Sequence, residues 1–339
     1  MRAAVQPLDQ ADAGIVRACY DTHVAAMAAD DPFEPPVSLA IFTVRLRAGS
    51  FEPPREAWYV PAEADGGVAA WYQAEFSDLE NRDRVWVTLT VHPARRRAGL
   101  GTVLLRHAAE RAAAAGRAIM DGGVLEGSGG EAFALRAGAT LGQAEVRRVL
   151  DVAKIPAGSI GRLRESAARA ASGYSLARWT GVTPDNRLDQ VASLNNALND
   201  APMDPGIEAT AWTAERVRDR MNGRIARSPA RRYSLAAVHD ASGEMAALTA
   251  VSVDPAIPDW GHQLITAVTR PHRGHRLGML TKAAMMDWLA EAEPAVRRIV
   301  TWNAASNRYM IAVNEELGYE VWGQPYRSAE LPVSSVHQS

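Results

Sequence analysis

The feature that most constrains this chain is an order of elements that occurs twice. In each half, a β-branched segment enters an Arg/Gly-rich turn, and a segment with apolar residues at helical spacing follows. The two copies are RVWVTLTVHPARRRAGLG (84–101) and HQLITAVTRPHRGHRLG (262–278). A separation of roughly 175 residues indicates a duplicated domain, because solenoid repeats have much shorter periods.

Further strands and helices flank both copies. Alternating and β-branched segments predict strands at 56–60, 67–76, 84–91, 173–181, 231–240, 243–253, 262–269 and 297–303. Helical spacing predicts helices at 102–116, 279–292 and about 307–317. The expected fold is α/β (α+β), with an N-terminal domain at 1–155, a linker helix at 156–172 and a C-terminal domain at 173–339.

Composition narrows the functional classes. A chain of 339 residues with a net charge of −2 has no basic field that predicts binding to nucleic acid or to an anionic membrane. Cys19 is the only cysteine, which excludes a disulfide framework and a cysteine-based zinc site. No apolar run reaches the length of a membrane span and no secretory leader is evident, so we expect a cytoplasmic protein. We expect a monomer or a homodimer, without a metal.

The turns carry the chemistry. A strand that enters a tight glycine turn and then opens a helix presents consecutive backbone N–H groups beside the positive end of the helix dipole, and this binds a pyrophosphate. In the first copy, Gly99 and Gly101 permit a close approach of the backbone. The alternative is a structural turn with solvated arginines.

The first turn resembles the Q/R-x-x-G-x-G/A signature of the GNAT acetyltransferase superfamily, since Arg96, Gly99 and Gly101 occupy its fixed positions. The resemblance implies two tandem GNAT domains, each with a mixed, mostly antiparallel, splayed sheet flanked by helices. It also implies acetyl-CoA or another acyl-CoA as co-substrate. The residues expected to contact it are Val91, Arg96, Arg97, Ala98, Gly99, Leu100, Gly101 and Thr102.

The second turn departs from the signature. Arg273 and Gly278 match, but Arg276 stands where glycine is usual, which is compatible with the turn if φ is negative there. The expected contacts in this half are Thr269, Arg273, Gly274, Arg276, Gly278 and Asn307. TWNAASNRYMIAVNEELGY (301–319) resembles the last elements of the superfamily, which implies a role for Asn303 and Asn307 near the pantetheine; helix and turn capping is the alternative.

Catalytic groups are harder to place. The family often uses a tyrosine four residues before a terminal glycine as the acid, and those positions hold Asn314 and Ala134 here. A base is offered by His262 or Asp254, with solvated strand ends as the alternative. The hypothesis is therefore firm binding of CoA in the N-terminal domain and transfer in the C-terminal domain, with Asn303, Asn314 and His262 as candidate catalytic residues.

The acceptor is expected to be a small amine. Acidic and amide groups at 191–206 and 28–36 would orient a cation, although exposed loops are the alternative. The resemblance is nearest to tandem GNAT proteins of actinomycete antibiotic clusters, which implies secondary metabolism. A non-catalytic acyl-CoA-binding protein is the rival hypothesis. A dinucleotide-binding domain is disfavoured, because no βαβ unit with an acidic ribose partner follows either turn.

Overall fold

The computed structural model describes residues 4–48, 55–62, 67–200 and 203–336. The strands are β1 (Gln6–Pro7), β2 (Arg55–Pro61), β3 (Val68–Phe76), β4 (Arg84–Val91), β5 (Ile119–Leu125), β6 (Thr140–Asp151), β7 (Tyr174–Thr180), β8 (Arg231–His239), β9 (Met245–Val253), β10 (Trp260–Val268), β11 (Arg298–Ala304), β12 (Glu320–Val321) and β13 (Tyr326–Pro332). The helices are α1 (Ala13–Asp30), α2 (Leu39–Ala48), α3 (Leu100–Ala114), α4 (Gly129–Arg136), α5 (Ser159–Ala170), α6 (Leu188–Asn196), α7 (Ala214–Arg216), α8 (Gly223–Arg227), α9 (Leu277–Ala292), α10 (Arg308–Leu317) and α11 (Val333–Val336). Every predicted strand and helix is present. None of the described helices is long and apolar enough to cross a bilayer.

The chain divides into two compact units that do not simply follow chain order. Unit 1 comprises 1–145, 204–208 and 323–339, and unit 2 comprises 146–203 and 209–322. The loop 204–208 and the C-terminal strand therefore pack with the first half of the chain. The domain boundaries expected from the sequence stay a prediction.

The sheet of unit 1 has the order β1-β2-β3-β4-β5-β13-β6. All neighbours are antiparallel except β4 and β5, which are parallel. Successive side chains of a strand point to opposite faces, so Tyr72 packs in the core around α3, while Trp71 packs in the core around α1 and α2. The mixed, mostly antiparallel sheet with helices on both faces is the expected architecture.

Unit 2 repeats this plan. Its sheet runs β7-β8-β9-β10-β11, with only β10 and β11 parallel, and β12 pairs with the part of β6 that belongs to this unit. Helices α5 and α9 pack on one core cluster, which contains Leu235, and α6 packs on another, which contains Ala236. In both units the parallel strand pair therefore follows the antiparallel hairpins.

Candidate functional site

In unit 1 the parallel strands β4 and β5 separate after a short contact. They pair at Arg84–Ile119, Val85–Met120 and Trp86–Asp121, and the register ends there. A cavity of about 510 Å³ lies at the separation. Its lining combines β4, β5, α4 and the start of α3 with Ala329 and Leu331 from β13. The splayed strands thus create a concave site beside the first Arg/Gly-rich turn.

The backbone of this turn aims the N-terminus of α3 at the cavity. Arg97 and Gly99 have positive φ values of 64° and 81°, and α3 begins at Leu100. A Cβ added at Gly101 would lie 3.4 Å from the Phe133 ring, an ordinary van der Waals contact, so this ring packs directly against the turn. The predicted cofactor contacts that line the cavity are Val91, Arg96, Arg97, Gly99, Leu100, Gly101 and Thr102; Ala98 belongs to the same turn. These residues form an anion cradle of the kind that the sequence predicts.

Arg96 holds the turn in place. Its guanidinium donates to both carboxylate oxygens of Asp30 on α1, at 2.6 and 2.7 Å. Its Nε also donates to the Val91 carbonyl at 3.3 Å. A bidentate pair of this kind fixes geometry as well as charge. The neighbouring Arg95 and Arg97 are exposed, and they leave positive charge at the edge of the cavity.

A half-buried carboxylate, Asp121, lines the cavity where the strands separate. Asp121 accepts a hydrogen bond at 2.7 Å from Arg84, which also donates to Glu330 at 2.7 Å. Burial raises the pKa of Asp121 to about 6, and the charge of Arg84 opposes this rise. A carboxyl group with such a pKa suits proton transfer near neutral pH. Sequence reasoning missed Asp121, although a single acid in an apolar strand segment is a usable signal.

Alanine stands at the cavity wall in the position that the resemblance assigns to the usual acid. Ala134 lines the cavity, and the adjacent Phe133 packs on the turn. Among the described residues of the lining, the titratable groups other than arginine are Asp30 and Asp121. Arg96 binds both carboxylate oxygens of Asp30, whereas Arg84 binds one oxygen of Asp121, whose pKa is raised to about 6, so Asp121 is the better candidate for proton transfer.

The second turn repeats the backbone course of the first. β10 and β11 pair from Trp260–Arg298 to His262–Val300 and then separate. Gly274 and Arg276 have positive φ values of 88° and 53°. From the sequence, a side chain at position 276 is expected to fit the turn if φ is negative, but φ is positive there. An ion pair of 2.5 Å with Glu316 accompanies the unfavourable backbone of Arg276.

The other predicted contacts of this half have partners inside the protein. Arg273 and Arg270 both bond to Asp200, at 2.6 Å and 2.5 Å, and these bonds lower the pKa of Asp200 to about 2. Arg273 also donates to the Val268 carbonyl at 3.2 Å, as Arg96 does to Val91. Thr269 is buried, and its hydroxyl donates to the Ala246 carbonyl at 3.3 Å. Gly278 lies in the first turn of α9.

The structure brings Asn303 and Asn314 together in unit 2. The Asn314 amide nitrogen donates to the Asn303 side-chain oxygen at 2.7 Å, and its oxygen accepts from the Lys282 ammonium at 2.7 Å. Asn314 has no exposed surface. Burial lowers the pKa of Lys282 to about 7. An amide that is buried and bonded at both ends favours a structural role for Asn314, while its catalytic role stays a prediction.

The remaining candidates lie at element ends or within strands. Asn307 caps α10, since its side-chain oxygen accepts from the Met310 N–H at 3.2 Å, which supports the capping alternative. His262 is half-buried in β10, opposite Ser252 and Val300. Asp254 accepts from the Ala256 N–H at 3.0 Å, as a turn residue does. The catalytic role of His262 stays a prediction.

Comparison with known proteins adds to this geometry. Residues 15–120 match the sequence profile of the acetyltransferase (GNAT) family. Across 97% of this chain and 98% of its own, a tandem GNAT protein from the clavulanic acid biosynthesis pathway is 29% identical, with a TM-score of 0.79. This chain has the fold of a tandem GNAT protein. Among curated protein sequences, none matches it.

More distant tandem-length structures share the GNAT fold. A GCN5-related N-acetyltransferase from Sphaerobacter thermophilus is 18% identical over 97% of this chain and 95% of its own, with a TM-score of 0.66. A GNAT-family acetyltransferase from Colwellia psychrerythraea is 8% identical over 96% and 99%, with a TM-score of 0.56. The GNAT fold predicted from the turns is thus confirmed, and acyl transfer is the chemistry that the family supports.

Proposed function

We propose that this tandem GNAT protein is an acyl-CoA-dependent N-acetyltransferase that acts on a small amine, with the acyl-CoA bound in unit 1. One observation carries the proposal. The Arg96–Gly101 turn and the N-terminus of α3 line a cavity of about 510 Å³ between two splayed strands. Backbone N–H groups at a helix N-terminus bind the pyrophosphate, and the apolar walls take the pantetheine.

We also place the transfer step in unit 1, where the sequence hypothesis had placed it in the C-terminal half. Asp121 lines the same cavity, whereas Asn314 in unit 2 is buried and bonded at both ends of its amide. In this mechanism the Asp121 carboxylate accepts the proton of the ammonium acceptor. The neutral amine then attacks the thioester carbonyl carbon, the C–S bond breaks with its electron pair on sulfur, and the second proton of the acylated nitrogen passes, directly or through water, to the thiolate.

The carboxylates of Asp30 and Asp121 line the cavity and support a cationic acceptor. The similarity to a protein of the clavulanic acid pathway supports a role in secondary metabolism. The cytoplasm is the proposed location, on the strength of the single cysteine.

Turnover separates this proposal from its rival, a non-catalytic acyl-CoA-binding protein. The experiment incubates the purified protein with acetyl-CoA and a panel of small amines, including diamines and amino sugars, and follows release of free thiol. We expect amine-dependent thiol release together with saturable binding of acetyl-CoA by calorimetry. Saturable binding without amine-dependent release across the panel would favour the rival.

The absence of the usual acid in the first half favours the alternative hypothesis of a non-catalytic acyl-CoA-binding protein. Ala134 stands at the position from which the family usually donates a proton to the leaving thiolate. A cavity that binds acyl-CoA but offers no proton donor is what an acyl-CoA sensor requires. Catalysis without a side-chain donor at that position requires that the thiolate gain its proton from the acylated nitrogen, directly or through water.

A further inference from the structure

The cavity of unit 1 combines a polar and an apolar part. The polar part is the Arg96–Gly101 turn. Elsewhere the cavity reaches the hydrophobic core around α3, where aliphatic side chains line it: Leu105, Met120, Ala134, Ala137, Ala329 and Leu331. A donor whose pyrophosphate is bound at the turn extends its thioester arm between the splayed strands, toward this apolar part.

The two faces of the strand opening differ in polarity. Asp121 and Met120 are neighbours on β5, so their side chains point to opposite faces of the sheet. Met120 belongs to the core around α3. On the same face, Leu331 of β13 is directly opposite Met120, and Ala329 is directly opposite Gly122. An amine that is deprotonated by Asp121 therefore approaches from the polar face, which leaves the apolar face for the acyl chain.

Small residues leave space on the apolar face. Ala329 and Gly122 form a cross-strand pair without a large side chain. A Cβ added at Gly122 would lie 3.1 Å from the Val87 carbonyl oxygen, so a larger residue there would crowd β4. On α4, Ala134 lines the cavity at the position where the resemblance implies a tyrosine. Alanine there leaves the volume of a phenol ring unfilled.

We propose that unit 1 takes acyl-CoA donors whose acyl chain is unbranched, uncharged and longer than acetyl, of the butyryl to hexanoyl class. The chain lies against Met120, Ala134 and Leu331. This assignment rests on the proposed function, because it names the donor class of the same site. The transfer step is the same as for acetyl: the amine nitrogen bonds to the acyl carbon, the C–S bond breaks with its electron pair on sulfur, and the thiolate gains the proton of the nitrogen.

Affinity for a series of donors tests the chain length. Calorimetry on the full chain compares acetyl-CoA, butyryl-CoA and hexanoyl-CoA. Each methylene group that leaves water for an apolar wall tightens binding by about fourfold, so we expect the Kd of butyryl-CoA to be about tenfold below that of acetyl-CoA. We expect hexanoyl-CoA to bind at least as tightly as butyryl-CoA. A Kd for butyryl-CoA that is no lower than that for acetyl-CoA would overturn the assignment.

Succinyl-CoA tests the polarity of the chamber. Its acyl chain has the length of butyryl but ends in a carboxylate. We expect it to bind more weakly than butyryl-CoA, because aliphatic walls do not compensate for the loss of water around a charge. Tighter binding of succinyl-CoA than of butyryl-CoA would contradict an apolar acyl site.

Ala134→Phe tests whether the preference belongs to this cavity. The ring fills the space beside the splayed strands, so the ratio of the Kd for acetyl-CoA to the Kd for butyryl-CoA should fall from about ten to about one. Ala132→Phe is the matched control, because Ala132 is exposed on the same helix and outside the cavity lining. We expect this control to keep the wild-type ratio. An equal ratio in the two variants would overturn the assignment.

Turnover separates this assignment from the proposed function. Thiol release with acetyl-CoA and an amine, without tighter binding of butyryl-CoA, would overturn the chain-length assignment and leave the proposed function standing. A wild type that binds none of the acyl-CoA donors would overturn both.

Discussion

At the residue scale, a few ionisable side chains have surroundings that differ from those of ordinary surface groups. Asp121 is a carboxyl group whose burial outweighs the charge of Arg84 beside it, and both Glu330 and Asp83 add to the rise of its pKa. In unit 2, burial destabilises the charged form of Lys282 and so lowers its pKa, as burial of Asp121 raises the pKa of that carboxyl group. Asp121 lines the cavity of about 510 Å³ beside the first turn.

Asp121→Asn should therefore change activity in a pH-dependent way. The base is active when deprotonated, so kcat/KM of the wild type should rise with pH and level off above about 6. The ratio of wild-type to variant kcat/KM, in which the titration of the amine cancels, should reach about 100-fold at pH 8 and shrink below pH 6. A ratio that does not vary between pH 5 and pH 8 would remove Asp121 from the role of base.

At the element scale, the two Arg/Gly-rich turns share one backbone path and distribute its glycines differently. Each turn needs a left-handed residue at its second and fourth positions. Unit 1 uses Arg97 and Gly99 there, and unit 2 uses Gly274 and Arg276. Each turn therefore holds one arginine in a conformation that costs a non-glycine residue roughly 1–2 kcal/mol. The two turns therefore have the same backbone conformation, although their glycines stand at different positions.

The second turn offers a test in which the usual ranking of alanine and glycine reverses. At position 276, with φ of 53°, we expect Arg276→Gly to be more stable to urea than Arg276→Ala by about 1 kcal/mol. At position 273, with φ of −70°, we expect Arg273→Ala to be more stable than Arg273→Gly by about 0.5 kcal/mol. The same ranking at both positions would contradict the left-handed conformation of Arg276.

The sequence predicts about half of the described strands and helices, together with one turn, because these depend on local patterns. Alternation and helical spacing predict β4 and α3, and the glycines of 96–101 predict the turn between them. The position of Leu331 beside Met120 could not be predicted, since it depends on a pairing between strands about two hundred residues apart. Asp121 was missed because its pKa depends on Arg84 and on burial, which a spacing pattern does not show.

At the scale of the whole molecule, the C-terminal strand β13 belongs to the sheet of unit 1. β13 lies between β5 and β6 in unit 1, and its Ala329 and Leu331 belong both to the core around α3 and to the cavity lining. The duplication read from the sequence therefore does not give two independent halves. Unit 1 gains its last strand only after the whole of unit 2 has been synthesised.

Leu331→Ala measures the contribution of this strand. The side chain is 6% exposed, so its truncation should cost about 3 kcal/mol of unfolding free energy and should also weaken acetyl-CoA binding. Leu264→Ala, at a site that is 48% exposed, should change stability by less than about 0.5 kcal/mol and leave binding unchanged. Equal stability of the two variants in urea unfolding would mean that β13 adds little to unit 1.

In the proposed function, the Arg96–Gly101 turn of unit 1 holds the acyl-CoA. Native mass spectrometry of the wild type, Gly99→Glu and Gly116→Glu with added acetyl-CoA tests this binding site. Gly99 and Gly116 lie beyond opposite ends of α3, with φ of 81° and 70°, and both face open space, so the two glutamates impose similar strain. We predict that Gly99→Glu binds one CoA fewer than the wild type and that Gly116→Glu binds the same number. A folded Gly99→Glu variant with wild-type stoichiometry would contradict the claim.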